Sequence, residues 1–134
     1  CYMAGHIFIE RSSRVKSMES IRKAESKLKN GMSVVIFPEG TRTPDGKMGR
    51  FKRGAFMISQ ELQLPILPVT IDGNYDVMSR HAKSVTWHPV RMTIHAPIMP
   101  RTDVGPTEQE QTQAMNETAQ KVSEIIQETL DKGN

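Results

Sequence analysis

The sequence predicts an α/β fold: a mainly parallel sheet flanked by helices, in a single domain. Three observations lead there. Short apolar runs rich in Ile, Val and Phe alternate with stretches of helical periodicity, the order expected of a sheet covered by helices. One run, Ser33–Phe37, is continuously apolar after its serine, as in a strand buried on both faces. No repeat, low-complexity tract or shift in composition marks a second domain within 134 residues.

Along the chain, His6–Glu10 carries apolar β-formers and reads as the first strand. Met18, Ile21, Ala24 and Leu28 then form a helical stripe among Lys and Arg, with Ser17 placed as N-cap and Gly31 as the stop. After the Ser33–Phe37 strand comes a polar loop from Pro38 to about Lys52 with three glycines. Gly54–Gln63 reads as a short helix and Pro65–Ile71 as a strand. Pro68 has no N–H to give a ladder, so it belongs at an edge, a strand end or a bulge. No element is assigned between Asp72 and Pro89. Val90–Ala96 alternates with period 2, as a strand does, and the three prolines from Pro97 to Pro106 mark a loop. The final stretch is a long helix. Thr107 and Glu110 have capping-box spacing, and Met115, Ala119, Val122, Ile126 and Leu130 share one face.

Charge is unevenly spread. Residues 1–100 hold 15 Lys and Arg against 8 Asp and Glu, while residues 101–134 hold 3 against 7. The first hundred residues therefore favour anionic partners: phosphates, nucleic acid or anionic lipid. The lone Cys1 allows no internal disulfide, which fits a reducing compartment. The chain opens with Cys rather than Met, so we expect an upstream segment to be missing. No secretory-signal pattern opens the chain, and no apolar run approaches the roughly 18 residues of a membrane span.

The loop after Phe37 is the strongest chemical signal. The stretch PEGTRTPDGKMGRFKRG carries five cations, Arg42, Lys47, Arg50, Lys52 and Arg53, and two acids, Glu39 and Asp45. A loop at the carboxyl end of a sheet strand is where open α/β proteins place ligands. Arginine offers a planar fork for phosphate oxygens, and Gly40 lets backbone come close to a ligand. Glu39 has two readings: it pairs with Arg42, or it accepts a hydrogen bond from a substrate hydroxyl. The bland reading of the whole stretch is a solvated turn with a surface ion pair.

Other chemistries fail on spacing. Gly40 and Gly46 enclose five residues rather than four, and Met48 stands where a P-loop needs Ser or Thr. His6, His81, His88 and His95 form no paired metal motif, and there is no Gly-x-Ser-x-Gly elbow. Aromatics for stacking bases are few and no nucleic-acid motif is present, so nucleic acid is not an expected partner.

FPEGTR (Phe37–Arg42) resembles the signature block of the glycerolipid acyltransferase family, the lysophosphatidic acid (1-acyl-glycerol-3-phosphate) acyltransferases. GHIFIER (Gly5–Arg11), FKRGAF (Phe51–Phe56) and LPILPVTIDG (Leu64–Gly73) look like its other blocks, in the same order and at matching spacing. The resemblance implies transfer of an acyl group from acyl-CoA or acyl carrier protein to a glycerol hydroxyl of lysophosphatidic acid, giving phosphatidic acid. It implies no metal, no cofactor and no covalent acyl-enzyme. It also implies a membrane-associated enzyme at the cytoplasmic face. Arg42 looks like the acceptor-phosphate arginine, and Glu39 and Gly40 like its acceptor-binding or pocket-shaping partners. Thr41 shapes the turn, Arg11 looks like a second phosphate contact, and Pro68 like the structural or acyl-chain-contacting proline. The family's catalytic motif is His-x4-Asp. Here the residues five beyond each histidine are Arg11, Thr86, Thr93 and Pro100. The motif is therefore expected upstream of Gly5, and these 134 residues are expected to be inactive alone. The competing expectation is a non-catalytic module that binds anionic lipid or phosphate.

Overall fold

The computed structural model describes Glu25, residues 31–79 and residues 81–133. The chain divides into two compact units, Cys1–Ile36 and Phe37–Asn134. In the first unit Glu25 is helical, within the helix read from Met18 to Leu28. The rest of that helix, the His6–Glu10 strand and Arg11 lie outside the described residues.

The second unit holds helix α1 (Gly54–Leu62), strand β1 (Val69–Asp72), a one-turn helix α2 (Asn74–Val77), strand β2 (Arg91–Ile94) and the long helix α3 (Glu108–Gly133). α3 packs on α1 and on β1. The core lies between them: Phe56, Ile98 and Val122 are buried, with Phe51, Ala55, Ile66, Met115, Ala119, Ile125 and Ile126 around them. The rings of Phe51 and Phe56 stack at 6.4 Å, joining the end of the basic loop to this core. Met115, Ala119, Val122 and Ile126 were read from helical spacing, and they form the packed face of α3.

α3 starts as its capping spacing requires. The Glu110 N–H donates to the Thr107 hydroxyl at 3.3 Å, and the Glu110 carboxylate accepts from both the Thr107 hydroxyl and the Thr107 N–H. Two amide donors at the helix start are thereby satisfied. At the end of α1, Gln63 takes the left-handed conformation (φ 51°), and the Ser59 hydroxyl donates to the Leu64 carbonyl at 2.6 Å.

The sheet differs from expectation. β1 and β2 pair antiparallel, with Val69 opposite Ile94 and Asp72 opposite Arg91. Among the described residues there is no parallel pair. A parallel return needs a crossover of a dozen or more residues, usually with a full helix to cross the sheet face. Here the only helix in the connection is the four-residue α2, too short to cross a sheet face, and the chain comes back beside β1 in the opposite direction. Beyond β1 the ladder resumes as an isolated bridge between Ile66 and Ile98. Pro68 interrupts it at the strand end, with its carbonyl accepting the His95 N–H at 3.0 Å.

Ser33–Phe37, read as a strand buried on both faces, forms no strand: Val35 is 82% exposed and Phe37 70%. A doubly buried strand needs ladder neighbours and a layer on each face, and no described strand pairs with this segment. On β2 the apolar alternation is real, but its face is open. Val90, Met92 and Ile94 are 47%, 63% and 65% exposed. Such apolar surface and free sheet edges favour association. We expect the 134-residue chain to self-associate as its concentration rises, seen by sedimentation velocity. A single monomeric species at every concentration contradicts this.

Candidate functional site

The basic segment 38–52 is a closed loop with both ends fastened. The Lys52 N–H donates to the Pro38 carbonyl at 2.8 Å, and the Gly40 N–H donates to the Phe37 carbonyl at 3.0 Å. Loops with joined ends, packed by their own groups, are a common setting for function. Gly40 sits at φ 71°, in the left-handed region that closes this turn without the steric cost of a side chain.

Both acids of the loop are spent on its shape. The Glu39 carboxylate accepts the Gly49 N–H at 2.8 Å from across the loop. Asp45 accepts the Thr43 hydroxyl at 2.9 Å and the Lys47 N–H at 3.2 Å. Those two donors, the hydroxyl first, hold the Asp45 carboxyl below the usual carboxylate range. The five cations Arg42, Lys47, Arg50, Lys52 and Arg53 are all exposed, and none forms an ion pair with a described acid. Glu39 and Arg42 make no ion pair with each other, so of the two readings of Glu39 the pairing is not seen.

Arg42 is held loosely. One guanidinium nitrogen donates to the Ser79 carbonyl at 3.4 Å, longer than a good N–H···O bond. The remaining N–H groups of its five-donor fork have no partner among the described residues. α1 begins directly after the loop, with no side-chain cap and no acid in its first turn. The positive end of its dipole is therefore not offset by a neighbouring carboxylate.

Glu39, Gly40, Thr41 and Arg42 thus lie together on one fastened loop. Thr41 is exposed. Pro68 is buried at the entry to β1 and bonded to His95, which gives it a structural place. Arg11 lies outside the described residues. Sequence reasoning missed Tyr75, Ser79 and Gly49, whose contacts with the loop span 31, 37 and 10 residues. Thr43-Pro44-Asp45-Gly46 did carry a turn signature, because Asp bonds its own backbone two residues on and Gly accepts positive φ. Replacing Glu39 by Ala should free the Gly49 amide. Its hydrogen exchange, followed by NMR, should quicken about fivefold, the equivalent of ~1 kcal/mol. An unchanged rate would show that the bond does not hold the loop.

The fastened loop thus turns its acids to its own groups and leaves its cations outward. The chain belongs to the Acyltransferase family, whose family model matches residues 1–72. That span includes Arg11, Glu39–Arg42 and Pro68. A chloroplastic 1-acyl-sn-glycerol-3-phosphate acyltransferase of Brassica napus is 35% identical over 97 residues, 72% of this chain and 28% of that protein. The alpha 1-acyl-sn-glycerol-3-phosphate acyltransferase of Mus musculus is 36% identical over 87 residues, 64% of this chain and 30% of that protein. Among solved structures, the 1-acyl-sn-glycerophosphate (LPA) acyltransferase PlsC of Thermotoga maritima superposes with a TM-score of 0.70 at 32% identity, covering 87% of this chain and 45% of that one. The chain therefore spans less than a third of the length of these two curated relatives.

Proposed function

We propose that residues 37–53 form the acceptor-phosphate pocket of an enzyme that acylates lysophosphatidic acid to phosphatidic acid. One observation carries this: Glu39 and Asp45 accept hydrogen bonds from the loop itself, while five exposed cations lack acidic partners among the described residues. A phosphate monoester supplies the missing anion. Arg42 grips it with two parallel N–H···O bonds, and the exposed Arg50 and Lys47 add attraction at longer range. Membership of the Acyltransferase family and the printed names of the relatives support the choice of acceptor.

In the proposed reaction the free glycerol hydroxyl attacks the carbonyl carbon of an acyl-CoA or acyl-carrier-protein thioester. The new C–O bond forms, the C–S bond breaks, and the hydroxyl proton passes through a general base to the departing thiolate. The family resemblance assigns that base to the histidine of a His-x4-Asp pair, which residues 1–134 do not contain. The role left to this chain is to bind and orient the acceptor. We place residues 1–134 in one acyltransferase domain, a reading that the likeness to PlsC supports. We place the protein at the cytoplasmic face of a membrane, where a lysophospholipid acceptor resides. No described helix is long and apolar enough to cross a bilayer.

Vesicle co-sedimentation tests the pocket. The chain should bind phosphatidylcholine vesicles that contain lysophosphatidic acid and leave pure phosphatidylcholine vesicles unbound. Binding should weaken with added salt. Equal binding to both vesicles, or to neither, overturns the proposal. The competing binding-module reading is separated by chemistry: acyl transfer once a His-x4-Asp segment precedes Gly5 supports the enzyme, and tight binding without transfer supports the module.

A further inference from the structure

The basic loop is latched from outside by α2 and the turn after it. The Tyr75 hydroxyl donates to the Pro44 carbonyl at 3.0 Å. Its ring lies on Gly46, where an added Cβ would stand 3.2 Å from the ring edge. Gly46 also sits at φ 81°, a backbone region that side chains disfavour. Two features therefore reserve this position for glycine, and one of them is the tyrosine. Four residues on, the Ser79 carbonyl receives the Arg42 guanidinium. A single short segment, residues 75–79, thus touches the loop at its tip and at its arginine. Neither Tyr75 nor Ser79 lies in the span matched by the family model.

From this juxtaposition we infer that Tyr75 is a positioning residue for phosphate binding: it pins Pro44–Gly46 so that Arg42 is held ready for the acceptor. The inference rests on the pocket reading above. Unpinned, the loop must be ordered each time an anion binds, and that ordering subtracts from affinity. Tyr75 itself touches no substrate and carries no proton. Its Pro44 bond is lost in Tyr75→Phe, which keeps the ring on Gly46, whereas Tyr75→Ala removes both contacts.

The test is a double-mutant cycle on the 134-residue chain, read by NMR titration with sn-glycerol 3-phosphate. Tyr75→Phe should weaken binding about 2- to 10-fold, the worth of one net hydrogen bond, and Tyr75→Ala should weaken it further. In the Arg42→Ala background both effects should vanish, because the residue acts through Arg42. Amide exchange at Gly46 and Lys47 should quicken in both Tyr75 variants. Tyr75→Phe keeps the ring and so guards against a variant that merely fails to fold. If Arg42→Ala weakens binding and the Tyr75 variants do not, this inference falls and the pocket stands. Equal Tyr75 effects with and without Arg42 also overturn it, since they indicate general destabilisation. If Arg42→Ala is silent, the pocket reading fails and this inference fails with it.

Discussion

Mixed with acyl-CoA and lysophosphatidic acid, the 134-residue chain will release no free thiol above the uncatalysed rate. The reason lies in its histidines. None of the four has Asp five residues on, and positioned general-base help is typically worth about 100- to 10,000-fold in rate. His95, the most constrained of those described, is committed to structure: its Nε2 is 2.8 Å from the Thr70 hydroxyl, and its N–H holds Pro68. His88 lies on the surface, with its Nε2 3.9 Å from an exposed Asp76 carboxylate and its Nδ1 2.9 Å from the Pro89 carbonyl. The measurement is thiol release followed with a disulfide reagent. A polypeptide that places His-x4-Asp ahead of Gly5 should turn over, and the same polypeptide with that histidine changed to Ala should not. Thiol release that co-purifies with residues 1–134 alone would contradict the assignment of these residues to binding rather than chemistry.

What could be read from the sequence follows from how local each signal is. α3 was legible because its apolar face recurs every three or four residues and its cap is written in Thr107 and Glu110, three positions apart. α1 was read as a short helix, and β2 was legible from its period of two. The missing N–H confined Pro68 to an edge, a strand end or a bulge, and the strand end is where it lies. The direction of the sheet was not legible. It depends on the path of the chain between Asp72 and Arg91, where α2 lasts a single turn and gives no periodicity to detect. Ser33–Phe37 shows the reverse failure: an apolar run signals burial only if something covers it, and Val35 and Phe37 are exposed.

The site divides in the same way. The cations, the glycines and Glu39 were visible because they adjoin one another in a stretch of 17 residues. Their arrangement was not. Spacing left Glu39 two partners, Arg42 or a substrate hydroxyl, and its carboxylate takes the Gly49 amide instead of Arg42. A fixed backbone N–H satisfies that carboxylate without ordering a long side chain, which leaves the arginine fork open. The Tyr75 contact spans 31 residues, and no short-range pattern announces it.

The acceptor phosphate itself gives the sharpest test. Arg42 is exposed, bonded only weakly to Ser79, and the one arginine within Phe37–Arg42, the signature block of the family resemblance. If its fork grips the phosphate, Arg42→Ala removes a charge-assisted contact worth about 1.5–3 kcal/mol. That corresponds to a loss of roughly 10- to 150-fold in kcat/KM for the acceptor. Arg42→Lys should recover only part, because an ammonium is a point charge and cannot offer two parallel donors. Arg11→Ala should act in the same direction and more weakly.

The deciding measurement is therefore steady-state kinetics of Arg42→Ala, in a polypeptide with His-x4-Asp ahead of Gly5, varying lysophosphatidic acid and the acyl thioester in turn. The account predicts a drop of roughly 10- to 150-fold in kcat/KM for lysophosphatidic acid, with the KM for the thioester nearly unchanged. A folded Arg42→Ala variant with wild-type acceptor kinetics would contradict it and leave Phe37–Arg42 a polar turn.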